Sequence, residues 1–108
     1  MTVNELSCTE GFTPVTLPDG DREIKGVYIG DLLSWVMGKA QSDNAWITIM
    51  SNINTLAVAT LTDVACVILA ENVTLEDNIK ESAEHKGINV ISTKYSAYDT
   101  ALILNKAL

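Results

Sequence analysis

The sequence predicts an α/β fold, a three-layer α/β/α sandwich with a mostly parallel central sheet. Residues 45–50 and 65–70 are short apolar runs rich in β-branched and aromatic side chains, which is typical of buried strands. Between them, apolar residues recur at helical spacing from Ile53 to Val64 and predict a helix. Two strands that are apolar on both faces and joined by a helix are typical of a right-handed crossover in a parallel sheet.

The chain before this unit begins with a short predicted helix and an edge strand. Residues 2–9 predict one or two helical turns, with Thr2 or Asn4 available as the N-terminal cap. Residues 12–17 predict a strand at the edge of the sheet, because Pro14 cannot donate a hydrogen bond to a neighbouring strand.

A second strand and an unusually apolar helix follow. Residues 24–29 predict the strand, and Asp31 is expected to cap a helix over 32–40. Apolar residues cover most of the circumference of this helix, so we expect it to be buried on more than one side, either by other elements or by a second subunit. Core packing is the default expectation for Trp35 and Trp46, and Trp35 has a subunit interface as its alternative.

The C-terminal part predicts a helix, a strand and a last helix. Thr74 is expected to begin a helix over 76–86, with acidic residues in its first turn. Residues 88–91 predict a short strand, and Ser96 is expected to cap the last helix.

The length and composition indicate one domain that associates with a copy of itself. At 108 residues the chain, 1–108, is large enough for a single core. Hydrophobic residues make up 47% of the sequence. The mean hydropathy of +0.18 is also high for so charged a small chain. Because small monomers rarely expose large apolar patches, this composition predicts a homodimer.

The charge balance excludes two classes of partner. Fourteen acidic residues against seven basic ones give a net charge of −7. Nucleic-acid binding requires clustered Lys and Arg, which are scattered here, so neither a nucleic acid nor an anionic membrane is expected as a partner. No apolar run approaches the ~18 residues of a membrane helix, and a secretory signal pattern is absent, so we expect a cytoplasmic protein.

The reactive residues favour a protein that is not an enzyme and has no cofactor or metal. The two cysteines, Cys8 and Cys66, cannot ligate an iron–sulfur cluster within one chain, and Cys66 is expected to be buried in a strand. With a single histidine, His85, neither a catalytic triad nor a histidine-rich metal site can form within one chain. His85 is expected to interact with helix C-terminal carbonyls, with a proton-shuttle role as the alternative.

Polar residues follow the first two strands of the central unit. Ser51, Asn52 and Asn54 come after the first, and Glu71 and Asn72 after the second. Open α/β sheets bind ligands at the carboxyl ends of their strands, so a site is expected there. Ser51 or Asn52 has a second interpretation as the helix cap, and the two roles are compatible.

A second polar cluster follows the last predicted strand. It contains Ser92, Thr93, Lys94 and Ser96. Lys94 is the one basic residue at a predicted strand end, so it can meet an anionic ligand or be a solvated loop lysine. Tyr98 can stack on a base or pack half-buried. The predicted ligand contacts are Ser51, Asn52, Asn72, Thr93 and Lys94.

Two segments carry a resemblance to a known family: GVYIGDLLSWVMGKAQSDNAWITIMSNINTLAVATLTDVACVILAEN and HKGINVISTKYSAYDTALIL. Over nearly its whole length the chain resembles the small stand-alone DRTGG-domain proteins. These are similar to the N-terminal domain of HPr kinase/phosphorylase and, more remotely, to that of the Mur ligases. The DRTGG pentapeptide itself is absent, and Glu71-Asn72 stands where such domains often have a glycine pair.

The resemblance implies a regulatory or ligand-sensing domain. Kinase activity is not implied, because the phosphate loop of HPr kinase lies in a separate domain and no such motif occurs here. The related Mur ligase domain takes part in binding the UDP part of its substrate, which makes a nucleotide a reasonable small anionic ligand. The alternative is a protein-interaction partner of an iron-only hydrogenase or carbohydrate-control system, without a small-molecule site.

Overall fold

The computed structural model describes residues 1–108, in which five helices and five strands are arranged as one α/β unit. In chain order the elements are α1 (Val3–Ser7), β1 (Phe12–Thr16), β2 (Val27–Ile29), α2 (Leu33–Lys39), β3 (Ala45–Thr48), α3 (Ile53–Thr62), β4 (Cys66–Leu69), α4 (Asp77–His85), β5 (Val90–Thr93) and α5 (Ala97–Ala107).

The five strands form one sheet in the order β1-β5-β4-β3-β2. Strand β1 pairs antiparallel with β5, and every other neighbouring pair is parallel. The predicted mostly parallel sheet, the crossover through α3 and the N-terminal edge strand containing Pro14 are therefore confirmed.

Two hydrophobic clusters cover the two faces of the sheet and complete the three layers. Alternation along the strands sends Ile47, Ile68 and Ile91 to one face, where they share a cluster with Leu104 of α5. The intervening strand residues, including Trp46, face the opposite cluster, which contains Val36 of α2. Trp46 is fully buried and its indole N–H donates to the Gly30 carbonyl at 2.9 Å, which confirms its predicted core position.

Three helices have the side-chain caps that the sequence predicts. The side-chain oxygens of Thr2, Asn52 and Ser96 accept from backbone N–H groups in the first turns of α1, α3 and α5. These bonds satisfy donors that would otherwise lack partners at the helix start. Thr2, rather than Asn4, caps α1.

Two of the predicted helix starts are wrong. Helix α2 begins after Leu32, and the carboxylate of Asp31 instead accepts hydrogen bonds at the end of β3. Helix α4 begins after Glu76 without a side-chain cap, so Thr74 precedes the helix without starting it. In both helices, the residue at the cap position makes no side-chain hydrogen bond to the first turn.

The last strand and helix α2 also differ from their predictions. Strand β5 covers Val90–Thr93 and not 88–91, so Ser92 and Thr93 lie within the strand. In α2 only Val36 is buried, whereas Trp35 is 60% exposed with Lys39 Nζ 5.4 Å from its ring centroid. The expectation that other elements of the chain bury α2 on several sides is therefore wrong. None of the five helices combines the length and the apolar composition that spanning a membrane requires.

Candidate functional site

The carboxyl ends of β2, β3, β4 and β5 meet at one edge of the sheet because these four strands are parallel. The loops that follow them carry Ser51 and Asn52 after β3, Asn72 after β4, and Lys94 directly after β5. The sequence prediction therefore placed its candidate residues at one edge of the fold, where open α/β sheets bind ligands.

An open cleft of about 550 Å³ lies between the beginnings of α3 and α4. Its lining consists of Ser51, Asn52, Ile53, Glu76, Asn78 and Ile79. The cleft thus brings together two of the predicted residues and adds two that the sequence interpretation missed, Glu76 and Asn78. Asn72, Thr93 and Lys94 are outside its lining. The only sequence signal for Glu76 and Asn78 was their polar character at the start of α4.

Asn52 holds the start of α3 with its side-chain oxygen. Oδ1 accepts from the backbone N–H groups of Asn54 at 2.9 Å and Thr55 at 3.3 Å, so the predicted capping role is confirmed. The side-chain nitrogen makes no hydrogen bond within the chain and remains a donor available to a molecule in the cleft.

The loop after β4 has an uncommon backbone. Glu71 and Asn72 both have a φ of 59°, in the left-handed region that non-glycine residues seldom occupy. Their N–H groups donate to the carbonyls of Tyr95 and Thr93, each at 2.9 Å. These amides join the β4 and β5 loops, so they are not open to surround a phosphate group.

Thr93 has its hydroxyl group committed inside the protein. It is 2% exposed, donates to the Gly11 carbonyl at 2.8 Å and accepts from the Tyr95 N–H at 3.3 Å. Direct contact between Thr93 and a ligand, as the sequence interpretation expected, does not fit this geometry. The residue instead fixes the shape of the loop that carries Lys94.

Lys94 is exposed and takes part in none of the three ion pairs of the structure. Its Nζ lies 5.5 Å from the ring centroid of Tyr95, within the range of a cation–π contact. The Tyr95 ring is held in turn by Phe12, at 5.7 Å between centroids, and by a hydrogen bond from its hydroxyl to the Glu10 carbonyl. The loop therefore presents a positive charge on a fixed aromatic support.

The main cluster of paired charges lies at the opposite edge of the sheet. Arg22 Nε is 2.9 Å from Asp43, and Arg22 also pairs with Asp63 at 3.0 Å. A hydrogen bond from the Ser42 hydroxyl, with further help from Arg22, lowers the pKa of Asp63. Asp43 and Asp63 precede β3 and β4, so this cluster joins loops at the amino ends of the strands and is separate from the candidate site.

Titratable groups elsewhere do not form a metal site. The structure contains no group of three or more His, Cys, Asp or Glu side chains placed to hold a metal ion. Cys66 is fully buried, as predicted, and burial raises the pKa of its thiol to about 12. Cys8 is exposed.

The family of the chain follows from its sequence. The DRTGG domain family matches residues 19–107. The chain belongs to the DRTGG domain family. This confirms the resemblance seen in the sequence, although the pentapeptide that names the domain is absent from this member.

A solved structure has the same fold. The regulatory region of Clostridium perfringens pyrophosphatase, consisting of CBS and DRTGG domains and complexed with the activator diadenosine tetraphosphate, is similar to this DRTGG domain with a TM-score of 0.70. The similarity covers 90% of this chain and 43% of that chain, at 14% sequence identity, and shows a shared fold. No curated protein matches the sequence significantly.

Proposed function

We propose that this DRTGG domain is a cytoplasmic, non-catalytic regulatory module that senses a small anionic ligand, such as a nucleotide, at the carboxyl edge of its sheet. The observation that carries the proposal is its family membership, together with a fold shared with a regulatory region that was solved with a nucleotide activator. The position of the cleft at the carboxyl ends of parallel strands supports the same site.

The side chains at the carboxyl ends of the strands suit two chemically different parts of the proposed ligand. Ser51 and the free side-chain nitrogen of Asn52 are neutral hydrogen-bonding groups, which suit a base or a sugar. Glu76 in the cleft disfavours an anionic group there, because like charges repel at short range. We therefore assign the anionic part of the ligand to Lys94, beside Asn72, and assign to Thr93 the role of holding that loop.

Nucleotide titrations of the purified protein test the site. AMP, ATP and diadenosine tetraphosphate are the probes, and calorimetry and thermal unfolding are the measurements. A ligand at 100 times its Kd is expected to stabilise the fold by about 2.7 kcal/mol. Lys94→Ala is expected to weaken binding about tenfold or more, because bonds to charged groups contribute roughly 1.5–3 kcal/mol.

One control variant and one further test variant accompany Lys94→Ala. Lys106→Ala removes the same charge near the far end of α5 and is expected to leave binding unchanged. Asn52→Asp keeps the oxygen that caps α3 but replaces the free nitrogen, so it is expected to weaken binding without lowering stability. Equal affinity in wild type and Lys94→Ala, or no stabilisation by any of the three nucleotides, contradicts the proposal.

A protein-interaction role is the second candidate, as an accessory of an iron-only hydrogenase or carbohydrate-control system. Exposed apolar side chains on and beside α2, among them Leu32, Trp35 and Met37, support a protein contact. The homodimer that the composition predicts is supported by a different set of exposed apolar side chains, those of Ile29, Tyr98, Leu102 and Leu108. Co-purification from the native host tests this role. Recovery of one specific partner, its loss in Trp35→Ala and a failure of nucleotides to bind together favour the accessory role.

A further inference from the structure

Strand β2 is an edge strand of the sheet, with β3 on one side and no strand on the other. The backbone N–H and C=O groups on its outer side therefore have no strand to pair with. The Ala45 N–H donates to the Gly26 carbonyl at 2.8 Å, and the Gly30 N–H donates to the Ile47 carbonyl at 3.2 Å. Backbone groups alternate in direction along a strand, so those of Val27 and Ile29 point away from β3. Two N–H and two C=O groups are therefore presented to a possible neighbour.

An apolar groove of about 630 Å³ runs beside this edge, between β2 and α5. Its lining includes Ile29, Tyr98, Leu102 and Leu108, and contains no charged side chain. The chain as a whole has a net charge of −7, so two copies repel each other over most of their surfaces. The groove is a surface on which two identical acidic chains can meet without opposing like charges.

We propose that this edge is a homodimer interface, in which β2 of a second copy pairs antiparallel with β2 about a two-fold axis at Tyr28. With Tyr28 opposite its own copy, Val27 lies opposite Ile29 of the second copy, and Ile29 opposite its Val27. Each of these pairs exchanges two N–H···O=C bonds, so all four outward groups on each copy gain partners. Registers centred on Val27 or Ile29 leave part of these groups unpaired.

The same axis brings the groove residues of the two copies together. A two-fold axis perpendicular to the sheet keeps both α5 helices on one face of a continuous sheet with five strands from each copy. Helix α5 contacts both β2 and β3. An axis midway between these two strands is about half a strand spacing inside the edge. The two α5 axes then lie about 10 Å apart, which is a normal distance for packed helices.

Four exposed apolar side chains supply about half of the area that a standard dimer interface buries on each partner. Tyr98 is 70% exposed, and Ile29, Leu102 and Leu108 are 49%, 43% and 50% exposed. If a fully exposed large side chain has about 200 Å², these four present roughly 400 Å² on each copy. A standard interface buries about 800 Å² per partner, and the β2 backbone and neighbouring side chains contribute to the remainder. Assembly through this edge does not depend on the proposed ligand.

Sedimentation velocity and light scattering measure the oligomeric state over a range of concentrations. We expect a concentration-dependent dimer for the wild type. Leu102→Glu is expected to weaken association about 100-fold or more, because it places like charges against each other across the axis. The matched control is Leu61→Glu, which places the same charge at a 70% exposed position on α3 and is expected to leave the dimer intact.

Cysteine cross-linking tests the register, in a Cys8→Ser background that removes the exposed thiol. Facing residues of a non-hydrogen-bonded antiparallel pair have Cα atoms about 4.5 Å apart, within disulfide reach. Tyr28→Cys is therefore expected to form a covalent dimer on mild oxidation. Val27→Cys, which faces Ile29 of the second copy, is expected to stay uncrosslinked because its own copy lies roughly 7–8 Å away on the diagonal.

Three results overturn the proposal. The first is a wild type that stays monomeric at its highest attainable concentration, because β2 then does not pair with β2 of a second copy. A dimer that Leu102→Glu and Leu61→Glu weaken equally lies on another face. A dimer in which folded Tyr28→Cys fails to cross-link does not have this register, with circular dichroism used to verify that the variant is folded.

Discussion

The carboxylate of Asp31 accepts a hydrogen bond from the hydroxyl of Thr48 at 2.8 Å. The same oxygen accepts from the Ile49 N–H at 3.0 Å. Asp31 follows β2 and Thr48 ends β3, so one side chain ties together the carboxyl ends of two neighbouring parallel strands. This connection fixes the position of the loop that leads to Ser51 and Asn52.

Asp31→Ala is expected to destabilise the fold by about 1–2 kcal/mol, because the buried Thr48 hydroxyl loses its acceptor. Urea unfolding of the variant and the wild type measures the difference. Asp31→Asn is the control, since its side-chain oxygen can still accept both bonds, and it is expected to retain most of the stability. Equal losses in the two variants would point to the charge and not to the hydrogen bonds.

Gly11→Ala is expected to destabilise the fold by about 2–4 kcal/mol for two reasons. Gly11 has a φ of +89°, which strains an alanine, and an added Cβ overlaps the ring of Tyr95. Gly87→Ala separates the two effects, because Gly87 has a φ of +74° with open space around it, and we expect a loss of about 1 kcal/mol. Chemical denaturation of both variants supplies the comparison, and similar losses would mean that Tyr95 moves aside at little cost.

Glu71→Gly is expected to stabilise the protein by about 1 kcal/mol, since glycine adopts a φ of 59° without the strain that a glutamate has there. Asn72→Gly is expected to gain less, because asparagine tolerates this conformation better than most residues. Glu71→Gln removes the charge alone and is expected to change the midpoint of thermal unfolding little. A larger gain from Glu71→Gln than from Glu71→Gly would assign the effect to electrostatics.

The parallel pairing of β3 with β4 and the edge position of β1 were predictable because their signals are local. The apolar runs around Trp46 and Cys66, and the proline in the first strand, indicate buried and edge positions directly. Caps at Asn52 and Ser96 were predictable for the same reason. Asp31 was misassigned because its partners, Thr48 and Ile49, lie 17 and 18 residues away, and a helix-cap pattern cannot reveal such a competing interaction.

The candidate site was predictable only in its location. Parallel topology puts Ser51, Asn72 and Lys94 at one edge of the sheet, but the sequence does not state which of them share a cleft. Thr93 was counted as a loop residue because the strand was predicted two residues too early, and its burial follows from pairing with β1. Glu76 was missed because its position in the cleft depends on how α4 packs beside α3.

Alkaline pH is expected to destabilise the fold through Cys66. Burial raises its pKa from 9.0 to about 12, so the unfolded chain loses the thiol proton at a lower pH than the folded protein. The contribution of the buried, protonated thiol to the free energy of unfolding is fully present below pH 9. It declines as the pH rises and is lost by about pH 12. At pH 10 this group alone is expected to remove about 1.4 kcal/mol relative to pH 7. Urea unfolding at both values, for wild type and Cys66→Ala, isolates it from the lysines and tyrosines that both proteins share. An equal change with pH in the two proteins would contradict the assignment to Cys66.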